Sequence, residues 1–141
     1  MKKKNKKNIR INSKSKKIKK LLFVTEELFP RDNGGIAKLL FDIAKKAFSQ
    51  AEIHFLILKG VYFYQEKAFT THTLHDCSKK INGSFNYTSR NYKILNKILE
   101  LSDDIGGFDY IEFPDYGGWG TDVLKAKKYL NLFKDTQICI R

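Results

Sequence analysis

The feature that most constrains the fold is an alternation, from residue 21 onward, of short apolar runs with segments of helical period. Leu21-Leu22-Phe23-Val24-Thr25 is a continuous apolar run, the pattern of a strand covered on both faces. It passes into a loop marked by Pro30 and by Asn33-Gly34-Gly35. Ile36, Leu39, Leu40, Ile43, Ala44 and Ala47 then recur at helical spacing, with Lys38, Asp42, Lys45 and Lys46 opposite them. Ile53-His54-Phe55-Leu56-Ile57-Leu58 is again strand-like, so residues 21 to 58 read as a βαβ unit.

The stretch from 59 to 88 is less regular. Val61 to Tyr64 is a candidate strand there, and Asn82-Gly83-Ser84 marks a turn. Ser89 is a candidate cap for a helix with Tyr92, Leu95, Ile98 and Leu99 turned inward, ending near Ser102 before Gly106-Gly107. Phe108 to Phe113 reads as a strand closed by Pro114, followed by the turn Asp115-Tyr116-Gly117-Gly118-Trp119-Gly120. A helix with Val123, Ala126, Leu130 and Phe133 inward comes next, its Asp122 and Lys127-Lys128 placed as the helix dipole prefers. Thr136 to Ile140 is a last strand. The alternation predicts a Rossmann-like, doubly wound α/β domain over residues 21–141 with a mainly parallel sheet. A strand running into Arg141 with no following cover suggests a domain truncated at its carboxyl end.

The charge is uneven. Of 27 basic side chains against 15 acidic ones, ten lysines and Arg10 fall in residues 1–20, a segment without a carboxylate. The remainder is close to neutral. Such a Lys/Asn/Ser tail cannot bury apolar surface and reads as a disordered, solvated extension. Its functional alternative is attachment to an anionic membrane surface, at about 1 kcal/mol per basic residue near the lipid. A nucleic-acid partner is disfavoured, because strand tracking usually adds aromatic platforms and the tail has none. The apolar run at 21–24 is ended by Thr25-Glu26-Glu27, too short for an export signal, and no run approaches a spanning helix. With only Cys77 and Cys139, reduced thiols and a cytoplasmic location fit best, a peripheral position on the inner membrane face belonging to the membrane alternative for the tail.

Two glycine-rich turns, at Gly34-Gly35 and at Gly117-Gly118, stand between a strand and a helix, where backbone approaches a phosphate closely and free helix amides supply donors. Neither matches the dinucleotide or P-loop fingerprint, and plain turn chemistry is the alternative. Glu26, Glu27, Glu112 and Asp115 lie at strand ends, where a carboxylate accepts from sugar hydroxyls or is simply solvated. His72, His75 and Cys77 form a string that invites a metal. It supplies at most three ligands without a partner cluster, so no metal is assigned. Trp119, between glycines, either stacks on a ligand or covers the core; the core is favoured.

Together the two turns resemble the amino-terminal domain of family 4 glycosyltransferases, which have the two-domain GT-B fold. The resemblance covers roughly residues 20 to 141. It rests on Leu22-Phe23-Val24-Thr25-Glu26-Glu27-Leu28-Phe29-Pro30 with Gly34-Gly35-Ile36 and the helix after it, and on Phe108 to Gly118 with the following Lys125-Ala126-Lys127. It implies a retaining transferase in which this domain holds the sugar or lipid-linked acceptor and a carboxyl-terminal domain holds the nucleotide sugar, the co-substrate, with no other cofactor and no metal. Gly34 and Gly35 match the loop facing the donor diphosphate. Glu112, Asp115, Gly117 and Gly118 match a loop walling the acceptor side of the cleft.

The chain departs from the family pattern at Ala37-Lys38, where a small residue is usual; Lys38 either approaches a phosphate or points to solvent. The family's Glu-x7-Glu element and basic donor-binding residues have no counterpart here. No catalytic residue is therefore assigned, and this chain alone is expected to be inactive, since a transition state formed between two domains needs both. Two other readings stand beside it: a non-catalytic Rossmann-like binding module held on membrane or polyanion by its tail, and an unrelated nucleotide binder.

Overall fold

In the computed structural model, which describes residues 19–74 and 86–141, five strands form one parallel sheet. They are β1 (Lys19–Thr25), β2 (Ala51–Ile57), β3 (Thr70–Thr73), β4 (Tyr110–Phe113) and β5 (Gln137–Ile140), in spatial order β3-β2-β1-β4-β5. Three helices connect them: α1 (Gly35–Ala47), α2 (Asn86–Ile105) and α3 (Thr121–Tyr129). The expected Rossmann-like α/β fold with a mainly parallel sheet is present, and all four strand pairings are parallel.

Strands buried on both faces explain the continuous apolar runs. Alternate residues of β1 enter different cores: Leu22 and Val24 join Leu56, Ile111, Phe113, Ile94, Ile98 and Val123 on the face covered by α2 and α3. Phe23 joins Ile53, Phe55, Ile57, Leu40 and Ala44 on the face covered by α1. Connections that run leftward from β1 and rightward from β4 must cross opposite faces if both are right-handed, which is the arrangement seen. A consequence matters below: no helix among the described residues covers β4 and β5 on the α1 face.

Several boundaries differ from the sequence reading. β1 begins at Lys19, so the last two lysines of the basic segment are structural: the Lys20 amide donates to Asp109 Oδ2 (2.8 Å) and the Lys20 ammonium to the Ile105 carbonyl. Residues 1–18, the turn at 82–84, His75 and Cys77 lie outside the described residues.

Val61 to Tyr64 is not a strand. Both edges of β2 are already taken, by β1 and by Thr70–Thr73, and Tyr62 is instead buried as a packing residue. The edge strand is instead Thr70–Thr73, whose polar Thr-Thr-His-Thr sequence carries no apolar signal and matches a half-covered edge position.

α2 starts before Ser89, which therefore sits inside the helix and does not cap it. Its inward residues are Asn91, Ile94, Ile98 and Leu101, with Tyr92 exposed. The helix stops where Gly106 and Gly107 (φ 87° and 88°) turn back so that both amides donate to the Ser102 carbonyl. α3 ends at Tyr129 rather than continuing through Leu130 and Phe133, because Asn131 adopts φ 56° and the Leu132 amide reaches back to the Ala126 carbonyl. Leu130 is consequently exposed, while Phe133 packs at the core margin. The Lys127 ammonium holds this terminus by donating to the carbonyls of Phe133, Lys134 and Thr136 at 2.7, 3.0 and 2.9 Å.

Candidate functional site

The strand order reverses between β1 and β4, and the loops leaving their carboxyl ends turn toward opposite faces of the sheet. That divergence opens the crevice in which open α/β sheets bind ligands. Both glycine turns lie there, one after β1 and one after β4. Chain folding thus brings together segments about 80 residues apart in sequence.

On the β1 side, α1 begins at Gly34, which has no side-chain cap, and the helix has no acidic residue in its first turn. Its first amides lack intrahelical acceptors. The Glu27 carboxylate, however, fills the space a Cβ on Gly34 would take. Gly35 has open space at the same position, so the two glycines differ: Gly35 is accessible and Gly34 is shielded by an acid of its own loop. Lys38 is exposed.

Arg31 organises the rest of this loop. It donates to the carbonyls of Glu26 (2.5 Å) and Lys59 (2.6 Å) and pairs with Asp32 (2.7 Å). Burial raises the Asp32 pKa, but the Arg31 hydrogen bond, the Leu28 amide and the Arg31 charge outweigh it and hold the carboxyl below its ordinary range. Glu26 is claimed by Arg90 of α2 at 2.7 Å.

On the β4 side, Gly117 and Gly118 have φ of 75° and 61°, which lets the chain wrap around the buried indole of Trp119. Trp119 is a core residue, with Arg90 over its ring (5.0 Å to the centroid) and Tyr116 edge-on at 5.1 Å. The Tyr116 hydroxyl is pushed up by burial and then by the charges of Glu26, Glu27 and Asp115, carboxylates that come from both loops. Asp115 itself is exposed.

Glu112 is almost wholly buried, at 5% exposure, and its carboxylate is engaged within the chain. Tyr110 donates to Oε2 at 2.5 Å, and one Arg141 nitrogen lies 3.0 Å from Oε1 and 3.1 Å from Oε2. The β4–β5 register sets Cys139 opposite Glu112, so Tyr110, Glu112 and Cys139 share the helix-free face. Burial first, then the Glu112 hydrogen bond, drives the Tyr110 pKa far up and keeps this phenol a donor.

Of this cluster, Glu112 and Arg141 line a cavity of about 270 Å³. Phe23, Val24, Phe113 and Pro114 line it from the sheet, Ile36 and Leu39 from α1, with Thr25, Glu112, Asp115 and Arg141 as its polar groups. The helical spacing of Ile36 and Leu39 had suggested core positions, yet they are 45% and 48% exposed. The sheet-facing stripe of α1 is Ala37, Leu40 and Ala44, whose small residues admit the helix close to the strands.

The sequence-predicted residues therefore fall into two groups. Glu112 and Asp115 border the cavity, which Ile36, next to Gly35, also lines; Gly117 packs against Trp119, and the Gly118 carbonyl accepts from Asn91 and Thr121. Tyr110, Arg31, Arg90 and Arg141 were missed. Arg141 had a legible signal, a lone cation one step beyond an apolar strand; Arg90 depends on Glu26, 64 residues away, Arg31 on Lys59, 28 residues away, as well as on its neighbours Glu26 and Asp32, and Tyr110 on a buried cluster.

His72 lies on β3, its Nε2 3.0 Å from Nδ1 of His54, whose Nε2 is 2.9 Å from Glu52. Among the described residues no group of three or more His, Cys, Asp or Glu is arranged to hold a metal ion. No described helix is long and apolar enough to cross a membrane. Comparison of the chain with protein-family models, with curated proteins and with solved structures finds no match.

Proposed function

We propose that this domain is the acceptor-side half of a retaining glycosyltransferase that moves a sugar from a nucleotide sugar to an acceptor, working with a second domain that carries the donor. The observation that carries the reading is the juxtaposition at the strand-order switch. Two glycine turns read separately from the sequence stand there on adjacent strands, beside a cavity with carboxylates and a guanidinium in its wall. In this reading the accessible amides at Gly35 face the donor diphosphate, and the Glu27 carboxylate swings off Gly34 when that charge arrives. The loop from Glu112 through Gly118 and the apolar residues opposite it hold the acceptor. The donor-side charge that stabilises the departing nucleotide comes from the other domain, so this chain alone transfers nothing. The nine positive charges of residues 1–18, ahead of β1, draw the domain to an anionic cytoplasmic membrane face.

The test is to read the coding sequence beyond the codon for Arg141 and in neighbouring frames for a second Rossmann-like domain with Glu-x7-Glu, then assay transfer of labelled sugar by both parts together. Transfer that requires both supports the reading. A stop with no partner frame, or a reconstituted pair inert toward every common nucleotide sugar, overturns it in favour of a non-catalytic binding module.

A further inference from the structure

The polar wall of the cavity is asymmetric in what it leaves free. Glu112 accepts from Tyr110 and from Arg141, so its oxygens are occupied. Arg141 presents five N–H donors in a planar fork but contacts Glu112 through Nη2 alone. Nη1 and Nε donate to no group among the described residues. The buried carboxylate therefore acts as an anchor that sets the guanidinium in place, with its remaining donors available beside the apolar lining of Phe23, Ile36, Leu39 and Phe113.

The Arg141 side chain is 47% exposed, so water takes these donors in the free chain, and a phosphate or carboxylate that replaces this water gains charge-assisted hydrogen bonds from the guanidinium. Asp115 borders the same cavity and opposes an anion there, a repulsion that its exposure to water weakens. The remaining surface is apolar and partly solvent-exposed. It is also open for a topological reason, since right-handed connections to β4 and β5 place their helices on the other face. At about 270 Å³ the space lies just below the roughly 300–1,000 Å³ of ligand pockets, which suits a short chain or a single ring better than a long lipid tail held at full length.

We infer that this cavity is a binding site for an amphiphilic anion, with the apolar group between α1 and β4 and the phosphate or carboxylate on Arg141. Only the word acceptor for this molecule rests on the glycosyltransferase reading; the site itself rests on the free guanidinium donors and the apolar lining. If both hold, the acceptor is an apolar phosphate or carboxylate rather than a free neutral sugar.

The full chain is titrated by calorimetry and by amide chemical shifts with hexyl phosphate, hexanol and inorganic phosphate. Hexyl phosphate is expected to bind at least about tenfold more tightly than either half-ligand, because only it uses both walls. Arg141→Ala removes about tenfold for hexyl phosphate and leaves hexanol within about twofold. Leu39→Asp, at a half-exposed position, is expected to weaken hexanol and hexyl phosphate together.

Equal binding of hexanol and hexyl phosphate would overturn the anion assignment, and equal binding of inorganic phosphate would overturn the apolar one. Unchanged affinity in Arg141→Ala, or no binding of any probe at millimolar concentration, overturns the site. Because every readout is binding, failure of sugar transfer by the reconstituted enzyme leaves this result untouched.

Discussion

Gly117→Ala separates backbone strain from steric overlap in the turn that carries the acceptor-side loop. A Cβ built on Gly117 falls 2.5 Å from both Cε2 and Nε1 of the Trp119 indole and 2.9 Å from Cζ2. The ring has little freedom to yield, being 3% exposed and held between Arg90 and Tyr116. Overpacking of this kind costs about 1–3 kcal/mol. The φ of 75° adds about 1–2 kcal/mol for any residue with a Cβ. The sum, about 2–5 kcal/mol, is a large part of the roughly 5–15 kcal/mol that holds a domain together.

Gly34→Ala is the control. Its Cβ also collides, but with the carboxylate of an exposed Glu27 that can rotate away, and φ −65° with ψ 155° is open to any residue. The expected loss is below about 1 kcal/mol, from the poorer cap. In urea, with an m-value of roughly 2 kcal/mol/M, Gly117→Ala lowers the midpoint by about 1–2.5 M and Gly34→Ala barely moves it. Gly117→Asn tolerates the positive φ but keeps the Cβ, so it remains destabilised through overlap alone. The reasoning fails if Gly117→Ala unfolds within about 0.5 kcal/mol of the parent, if the two alanine variants lose equal stability, or if asparagine restores it fully.

Burial, His54 and Lys97 hold the His72 pKa down to about 4, against the opposing pull of Glu100. Between pH 6.5 and 4 the unfolded chain then binds the extra proton, so stability falls as pH is lowered through that window; His72→Gln flattens this part of a urea-midpoint profile. Tyr62, buried with its hydroxyl donating to the Phe29 carbonyl at 2.5 Å, is pushed up to about 12 by burial and the nearby Glu66. The unfolded phenol ionises first, so stability is lost as pH rises from 10 to 12, and Tyr62→Phe removes that loss; absorbance at about 295 nm follows the ionisation. Lys127→Met strips three carbonyls beyond α3 of their common donor and should cost about 1–3 kcal/mol by thermal or urea melt, with hydrogen exchange rising first between Leu130 and Thr136.

Much of this molecule was legible in the chain because its information is local. The runs at 21–25 and 53–58 and the period from Ile36 report burial directly, since an apolar segment finds few stable environments other than a two-sided sheet or a packed helix. The glycine turns were legible for the same reason: Gly117 and Gly118 adopt positive φ, which ordinary residues avoid. The polar edge strand at Thr70–Thr73 was not, because its pairing energy comes from β2 and leaves no apolar mark.

Sequence by itself determined the class of fold, the positions of most elements and the two turns that flank the crevice. Tertiary structure alone decided which polar groups are free. Glu112 reads as a binding carboxylate in one dimension, yet Tyr110 and Arg141 occupy it, and the donors left over belong to the arginine. Likewise Ile36 and Leu39 carry a helix-core period but face a cavity, since the rotation of α1 is set by Ala37 and Ala44 packing onto the sheet. The physical reason is common to both. Periodicity states that a side chain has a preferred face, whereas what lies opposite that face depends on segments brought together only by the strand order β3-β2-β1-β4-β5.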